Sequence, residues 1–211
     1  MVEAFEGNKA ETTTMLPTIR AFMAAHQLSD VTVVADAGMI SETNRKAIEA
    51  EGLSFILGMK IPDIPYALSS WRRDNPDTEI ADGQIFTQPW PAGETDKRRD
   101  QVIYYRYKAD RARRTLRGID QQVAKAEKAV AGKTPIKRNR FVALTGADKS
   151  VNRTLEAKAR TLAGFKGYIT NIDNPTPVFV LDAYSRLLNI EKILPDVQDR
   201  SRRPADLPPQ T

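Results

Sequence analysis

The segment VVADAGMIS, residues 33–41, places a carboxylate at a position suited to chemistry. Val33, Val34 and Ala35 belong to a continuous apolar run, which is typical of a buried parallel strand, and Asp36 follows directly. Ligand and metal sites of open α/β sheets lie at the carboxyl ends of such strands. Aspartate is also favoured as a helix N-cap, so this segment alone predicts either a metal-binding carboxylate or a cap.

The composition limits which chemistry is available. The chain has no cysteine and a single histidine, His26, which excludes thiol chemistry and argues against a Ser-His-Asp triad. A bound metal would therefore be a hard ion held by oxygen ligands, Mg²⁺ or Mn²⁺. No stretch approaches the roughly 18 apolar residues of a membrane span. We expect a cytoplasmic protein without a membrane partner.

Positive charge is concentrated in one segment. The net charge is +5, yet residues 97–140 contain fifteen Lys and Arg against four Asp and Glu, a local charge of +11. Such a segment predicts a polyanionic partner, and the alternative is a solvated helix whose charge is incidental.

The elements around Asp36 form an α/β unit. An amphipathic helix is predicted over Glu11–His26, and a strand over 31–35 leads to Asp36. Ser41 is the expected N-cap of the next helix and Gly52 its stop, before a second buried strand over 53–60. Two strands joined by a helix should pair in parallel.

The rest of the chain differs in its composition and in the elements that it predicts. Residues 62–77 are rich in Pro, Asp and Asn and predict an irregular stretch. Strands over 83–90 and 100–108 predict a hairpin or small antiparallel sheet. The remaining predictions are a long helix over 109–131, a strand over 138–144, a helix over 152–164, an apolar strand from 164 and a last helix over 178–194.

Four stretches together resemble a known family. They are AFEGNKAETTTMLP (4–17), VTVVADAGMIS (31–41), YYRYKADRARR (104–114) and GYITNIDNPTPVFVLDAYSRLLNIEKI (167–193). In this order they are similar to the catalytic domain of bacterial insertion-sequence Asp-Asp-Glu (DDE) transposases, in the group with a Tyr-x₂-Arg-x₃-Glu-x₆-Lys signature. The matches are spread from about residue 4 to residue 192.

The resemblance implies an α/β, RNase H-like mixed sheet flanked by helices, incomplete here, with a strand-and-long-helix insertion before the last helix. It divides the chain into a partial core (1–60), an insertion (61–163) and a last core strand and helix (164–194). The polar, proline-rich composition of residues 195–211 predicts a disordered tail. By position, Asp36 and Glu191 are catalytic metal ligands and Tyr184 is the signature tyrosine. The implied cofactor is a pair of Mg²⁺ or Mn²⁺ ions about 3.5–4 Å apart.

The implied activity is metal-dependent DNA cleavage and strand transfer during transposition of a mobile element, by a homo-oligomer on transposon ends and target DNA in the bacterial nucleoid. In the family the insertion contacts double-stranded DNA. The arginines predicted to meet phosphates are Arg98, Arg99, Arg106, Arg111, Arg113, Arg114 and Arg117.

The chain also departs from the family pattern. The first aspartate of the family lies upstream of the segment matching 4–17, and here no Asp precedes Asp30. Leu187 and Gln198 stand where the signature has Arg and Lys. We therefore expect a fragment lacking the N-terminal part and inactive by itself. The alternative is a remnant that only binds DNA or an intact transposase.

Overall fold

A computed structural model describes residues 11–36, 40–96, 98–135, 138–145 and 148–187. These residues form an α/β fold in which helices flank a mixed five-stranded sheet of order β1-β2-β7-β4-β3, beside a two-stranded sheet, β5-β6. The elements are α1 (Glu11–His26), β1 (Thr32–Ala35), α2 (Glu42–Ala50), β2 (Ser54–Met59), α3 (Tyr66–Asp74), β3 (Ile85–Trp90), β4 (Gln101–Tyr107), α4 (Ala109–Val130), β5 (Val142–Thr145), β6 (Asp148–Val151), α5 (Arg153–Thr161), β7 (Phe165–Thr170) and α6 (177–187).

The β1–α2–β2 unit confirms the parallel pairing predicted around Asp36. Val33 lies opposite Phe55 in the register, and the two strands run in the same direction. The Ser41 hydroxyl accepts a hydrogen bond from the Asn44 N–H and caps α2, as predicted. Gly52 follows the end of α2 with a φ of +74°, a conformation that glycine adopts at low cost.

Strands β3 and β4 pair in antiparallel orientation, as the sequence predicts, with Phe86 opposite Tyr105. They do not form a separate small sheet, because β4 also neighbours β7 in the five-stranded sheet. The burial of Ile103, Tyr104 and Tyr105 explains this position, since three consecutive buried residues require cover on both faces of the strand.

The prediction of an irregular stretch over 62–77 is wrong, because this stretch contains α3. Pro65 occupies the N-cap position with a φ of −61°, where proline is compatible with a helix start. The helix ends at Asp74, before Asn75 and Pro76, so the turn-forming residues bracket the helix instead of interrupting it. Leu68 is fully buried and anchors it.

The long helix α4 contributes to a separate hydrophobic cluster. Ile119, Val123 and Ala126 lie on one face and pack with Phe141, just before β5. The hairpin partner of β5, strand β6, was not predicted, since its sequence DKSV lacks an apolar alternation.

The described residues divide into two compact units. The first consists of those up to Gly58, Ala92–Arg99 and those from Thr170 onward, and the second of Met59–Pro91 and Asp100–Ile169. None of the helices in this part of the chain combines the length and the apolar content needed to cross a membrane.

Candidate functional site

Asp36 and Tyr184 meet in the first unit. Asp36 follows the last residue of β1, and Tyr184 lies on α6, 148 residues further along the chain. The Tyr184 hydroxyl donates a hydrogen bond to Oδ1 of Asp36 with an O···O distance of 2.6 Å. This short, charge-assisted bond fixes the orientation of the carboxylate.

The spacing of the apolar residues on α6 explains why Tyr184 lies on the buried face of this helix. Val180, Leu181 and Tyr184 are buried at positions i, i+1 and i+4, and only 1% of Tyr184 is exposed. At the start of the helix, the Thr176 hydroxyl accepts a hydrogen bond from the Phe179 N–H. The ring of Tyr184 is thus held in the core while its hydroxyl reaches Asp36.

Gly58 on β2 makes room for the Asp36–Tyr184 pair. A Cβ atom at this position would lie 2.6 Å from Oδ1 of Asp36 and 2.7 Å from the Tyr184 hydroxyl. Both distances are too short for any side chain at this position without displacing one of the partners. The missing side chain of Gly58 is therefore a structural requirement of the contact.

A buried polar clamp holds the start of β2. The Asn171 side chain accepts a hydrogen bond from the Phe55 N–H (2.8 Å) and donates one to the Leu53 carbonyl (3.2 Å). The Thr170 hydroxyl donates to the Phe55 carbonyl at 2.6 Å. Because Asn171 and Thr170 are fully buried, these bonds fix the strand that carries Gly58.

Glu191, the second predicted metal ligand, lies outside the described residues. Among the residues that the structure does describe, no three acidic or histidine side chains lie close enough together to hold a metal ion. Asp36 itself supplies the hard carboxylate oxygens that Mg²⁺ and Mn²⁺ prefer, so its chemistry fits such an ion.

Two of the predicted DNA-binding arginines serve local contacts in the first unit. Arg98 pairs with Asp96, with 3.0 Å between Nε and Oδ2, and only 17% of its side chain is exposed. Hydrogen bonds from the Gly93 N–H and from Arg98 hold the pKa of Asp96 below its ordinary value. Arg99 donates a hydrogen bond to the Leu53 carbonyl.

The other five predicted arginines lie in the second unit. Arg106 is on β4, and its Nε is buried without a hydrogen-bond partner among the residues that the structure describes. The remaining four are on α4, where Arg111 is half-buried and Arg113, Arg114 and Arg117 are exposed. Arg113 forms an ion pair with Asp110 of the same helix.

Compared with known proteins, the sequence matches no protein-family model and no curated protein.

The sequence prediction named Asp36 and Tyr184 but missed Gly58 and Asn171. A glycine inside the run SFILGM, which is apolar after Ser54, is a signal of close approach to a strand, so Gly58 was detectable. Nothing in the sequence marks Asn171, because an asparagine after a strand is usually a turn residue. Only the tertiary contacts distinguish the clamp from a turn.

Proposed function

We propose that this chain belongs to the catalytic region of a DDE transposase with an RNase H-like fold, which cuts and joins DNA with divalent metal ions. The observation that carries the proposal is the 2.6 Å hydrogen bond between Tyr184 and Asp36. Two residues chosen by their match to separate family motifs thus lie in one site. In a sequence unrelated to the family, a contact between Asp36 and Tyr184 would be a coincidence.

The residues that would hold the metal ions are Asp36 and Glu191. When bound, the ions supply an activated water or 3′-hydroxyl and stabilise the leaving oxygen. Tyr184 orients the Asp36 carboxylate through its hydroxyl, and Gly58 leaves the space in which the two oxygens meet. Asp36 is a ligand in this proposal, whereas Tyr184 and Gly58 are positioning residues.

The alternative function is binding without cleavage, either to DNA or to an intact transposase. The basic segment over 97–140 favours it, because phosphate contacts need cations but no metal site. The DNA-binding form of this alternative has the same partner as the first function but does not need Asp36.

Binding of Mn²⁺ to the full chain tests the metal site directly. Isothermal titration calorimetry should detect Mn²⁺ binding by the natural chain, and Asp36→Asn should weaken it at least tenfold, because a ligand charge is lost. Asp77→Asn is the matched control, since Asp77 is exposed in the second unit. Equal Mn²⁺ affinity in all three proteins would refute the metal role of Asp36.

Nicking of a supercoiled plasmid tests whether this chain cleaves DNA by itself. Mn²⁺-dependent nicking by the natural chain, abolished by Asp36→Asn, would support cleavage by this chain. Plasmid binding without nicking, unchanged in Asp36→Asn, would support the alternative.

A further inference from the structure

A cavity of about 470 Å³ lies in the second unit. It is enclosed by the end of α3 and the segment that follows it, by the first half of α4, and by the ends of β4 and α5. Every residue that lines it belongs to the second unit, whereas Asp36 and Tyr184 belong to the first. Small-molecule sites have volumes of roughly 300–1,000 Å³, so this cavity, here called the Trp71 pocket, is large enough for a ligand.

Two aromatic residues of the Trp71 pocket are held in place by other rings. Trp71 meets Phe86 edge to face, with 5.6 Å between the ring centroids, and Tyr107 meets Phe165 at 5.3 Å. Phe86 and Phe165 contact each other at 5.7 Å and are buried, whereas Trp71 and Tyr107 are half-buried. Because their partners belong to the core, the two half-buried residues form walls that are already in position before a ligand binds.

Gly164 allows Tyr107 to pack closely beside the pocket. A Cβ atom at this position would lie 2.6 Å from Cε2 of Tyr107 and 2.8 Å from Cβ of Ala112. Its φ of +92° also favours glycine. Tyr107 and Ala112 both line the pocket, so any side chain at Gly164 would displace a wall of the cavity.

Arg72 is a cation of the pocket without an acidic partner. It lies in the last turn of α3, it is exposed, and it forms no ion pair within the part of the chain that the structure describes. The adjacent Arg73 differs, since it donates a hydrogen bond to Ser70 and pairs with Asp74. The Arg72 guanidinium is therefore available to an anion in the pocket.

The other charged residues of the pocket limit which anion Arg72 can bind. Arg160 is paired with Asp120 at 2.7 Å and with Glu156 at 2.9 Å, so its charge is compensated. Glu79 is exposed and forms no ion pair among the described residues, and its negative charge opposes a second negative charge on a ligand. A single carboxylate, which matches the planar guanidinium through both oxygens, is therefore favoured over a doubly charged phosphate.

We infer that the Trp71 pocket binds a small aromatic carboxylate. The ring of the ligand packs on Trp71 and Tyr107, since aromatic rings attract one another in stacked and edge-to-face arrangements. Leu116 and Ala163 add apolar surface to the same cavity, and the ligand carboxylate accepts hydrogen bonds from Arg72. The site does not depend on the proposed function, because none of its residues takes part in the Asp36 site.

Quenching of Trp71 fluorescence by 4-nitrobenzoate tests this inference. The chain has two tryptophans, so the full-length variant Trp90→Phe retains Trp71 alone. Nitroaromatic rings quench tryptophan on contact, and we expect saturable quenching of this variant with a Kd of about 1 mM or lower. In the reciprocal variant Trp71→Phe, the quenching of Trp90 should stay linear and collisional, because Trp90 does not line the pocket.

Charge variants of the Trp90→Phe protein test the anion contact. Arg72→Gln should weaken the binding of 4-nitrobenzoate at least tenfold, because the charge-assisted hydrogen bonds are lost. Arg73→Gln is the matched control, since it removes the same charge from a neighbouring residue that does not line the pocket, and its Kd should stay the same. The dianion 4-nitrophenyl phosphate should bind more weakly than 4-nitrobenzoate, and Glu79→Gln should reduce that difference.

A neutral probe repeats the test without a charge substitution. The Trp90→Phe protein should bind 4-nitrobenzamide at least tenfold more weakly than 4-nitrobenzoate, because the amide carries no negative charge. Far-UV circular dichroism verifies that each variant is folded.

Saturable quenching that weakens in Arg72→Gln and is kept in Arg73→Gln supports the site. Quenching without saturation, or the same Kd in both arginine variants and for the neutral probe, would overturn it, because the probe would then meet Trp71 without using Arg72. Binding of the phosphate probe as tight as that of the carboxylate would overturn the choice of ligand. None of these outcomes affects the Mn²⁺ titration, which tests the Asp36 site separately.

Discussion

Replacing Tyr184 by phenylalanine removes only the hydroxyl that donates to Asp36. The ring is almost fully buried and stays in place, so the change isolates the 2.6 Å hydrogen bond. A hydrogen bond to a charged group contributes about 1.5–3 kcal/mol to stability. We expect the free energy of unfolding of Tyr184→Phe to fall by this amount.

A double-mutant cycle measures the contact itself. Tyr184→Phe, Asp36→Ala and the double variant are unfolded in urea and followed by circular dichroism at 222 nm. The cycle cancels the other contacts of each residue, and its coupling energy should be about 1.5–3 kcal/mol. Tyr66→Phe is the control, because Tyr66 is 71% exposed and its loss should cost less than about 0.5 kcal/mol.

A small coupling energy would refute this reasoning. Independent sites add within about 0.3–0.5 kcal/mol, so a value in that range means that the two side chains do not interact in solution. The observation that carries the proposed function would then be lost, whatever the total effect of each single substitution.

Three further predictions concern the scaffold. Gly58→Ala should destabilise the protein by about 1–3 kcal/mol and weaken Mn²⁺ binding, because the new methyl group displaces the Asp36 carboxylate. Gly118→Ala is its control in urea unfolding. A Cβ there meets no atom of the described residues within 4 Å, so stability should rise by up to about 1 kcal/mol. A loss as large as that of Gly58→Ala would contradict the steric argument. Asn171→Ala should cost about 1–3 kcal/mol in the same assay, since the Phe55 N–H of β2 loses its bond to Asn171 while the Leu53 carbonyl keeps its bond from Arg99. A cost below about 0.5 kcal/mol would show that the clamp is dispensable. The Ala109 N–H donates a hydrogen bond to Asp82 and, with Lys108, holds the pKa of Asp82 below its ordinary value. The stabilisation of the folded state by this contact is therefore present above pH ~3.9. It is lost as the pH falls through the lowered pKa of Asp82 in the folded state. The difference in urea midpoint between the natural chain and Asp82→Asn should therefore be smaller at pH 2 than at pH 7, and an equal difference at both would exclude this linkage.

The local elements around Asp36 could be predicted from the sequence alone. The apolar run before Asp36, the Ser41 cap and the Gly52 stop depend on interactions within a few residues, and all three are present in the structure. The parallel pairing of β1 and β2 also followed, because a short crossover helix leaves few other arrangements. The resemblance added the choice of Tyr184.

Where turn-forming residues bracket a helix, the same local reasoning failed. Over 62–77 the density of Pro, Asp and Asn suggested an irregular stretch, but these residues mark the ends of α3. Their positions relative to the buried Leu68, rather than their number, decide the structure. That burial depends on tertiary packing and not on composition.

Contacts between residues far apart in the sequence could not be predicted, because they depend on how the elements pack. The Tyr184–Asp36 bond joins positions 148 apart, and it requires the empty space at Gly58 on a third element. The Asn171 clamp and the ion pairs of Asp120 with Arg160 and of Glu127 with Arg153 likewise depend on contacts between elements. Sequence patterns indicate whether a segment is a helix or a strand and where it ends. Contacts between elements depend instead on distances that are set only when the elements pack.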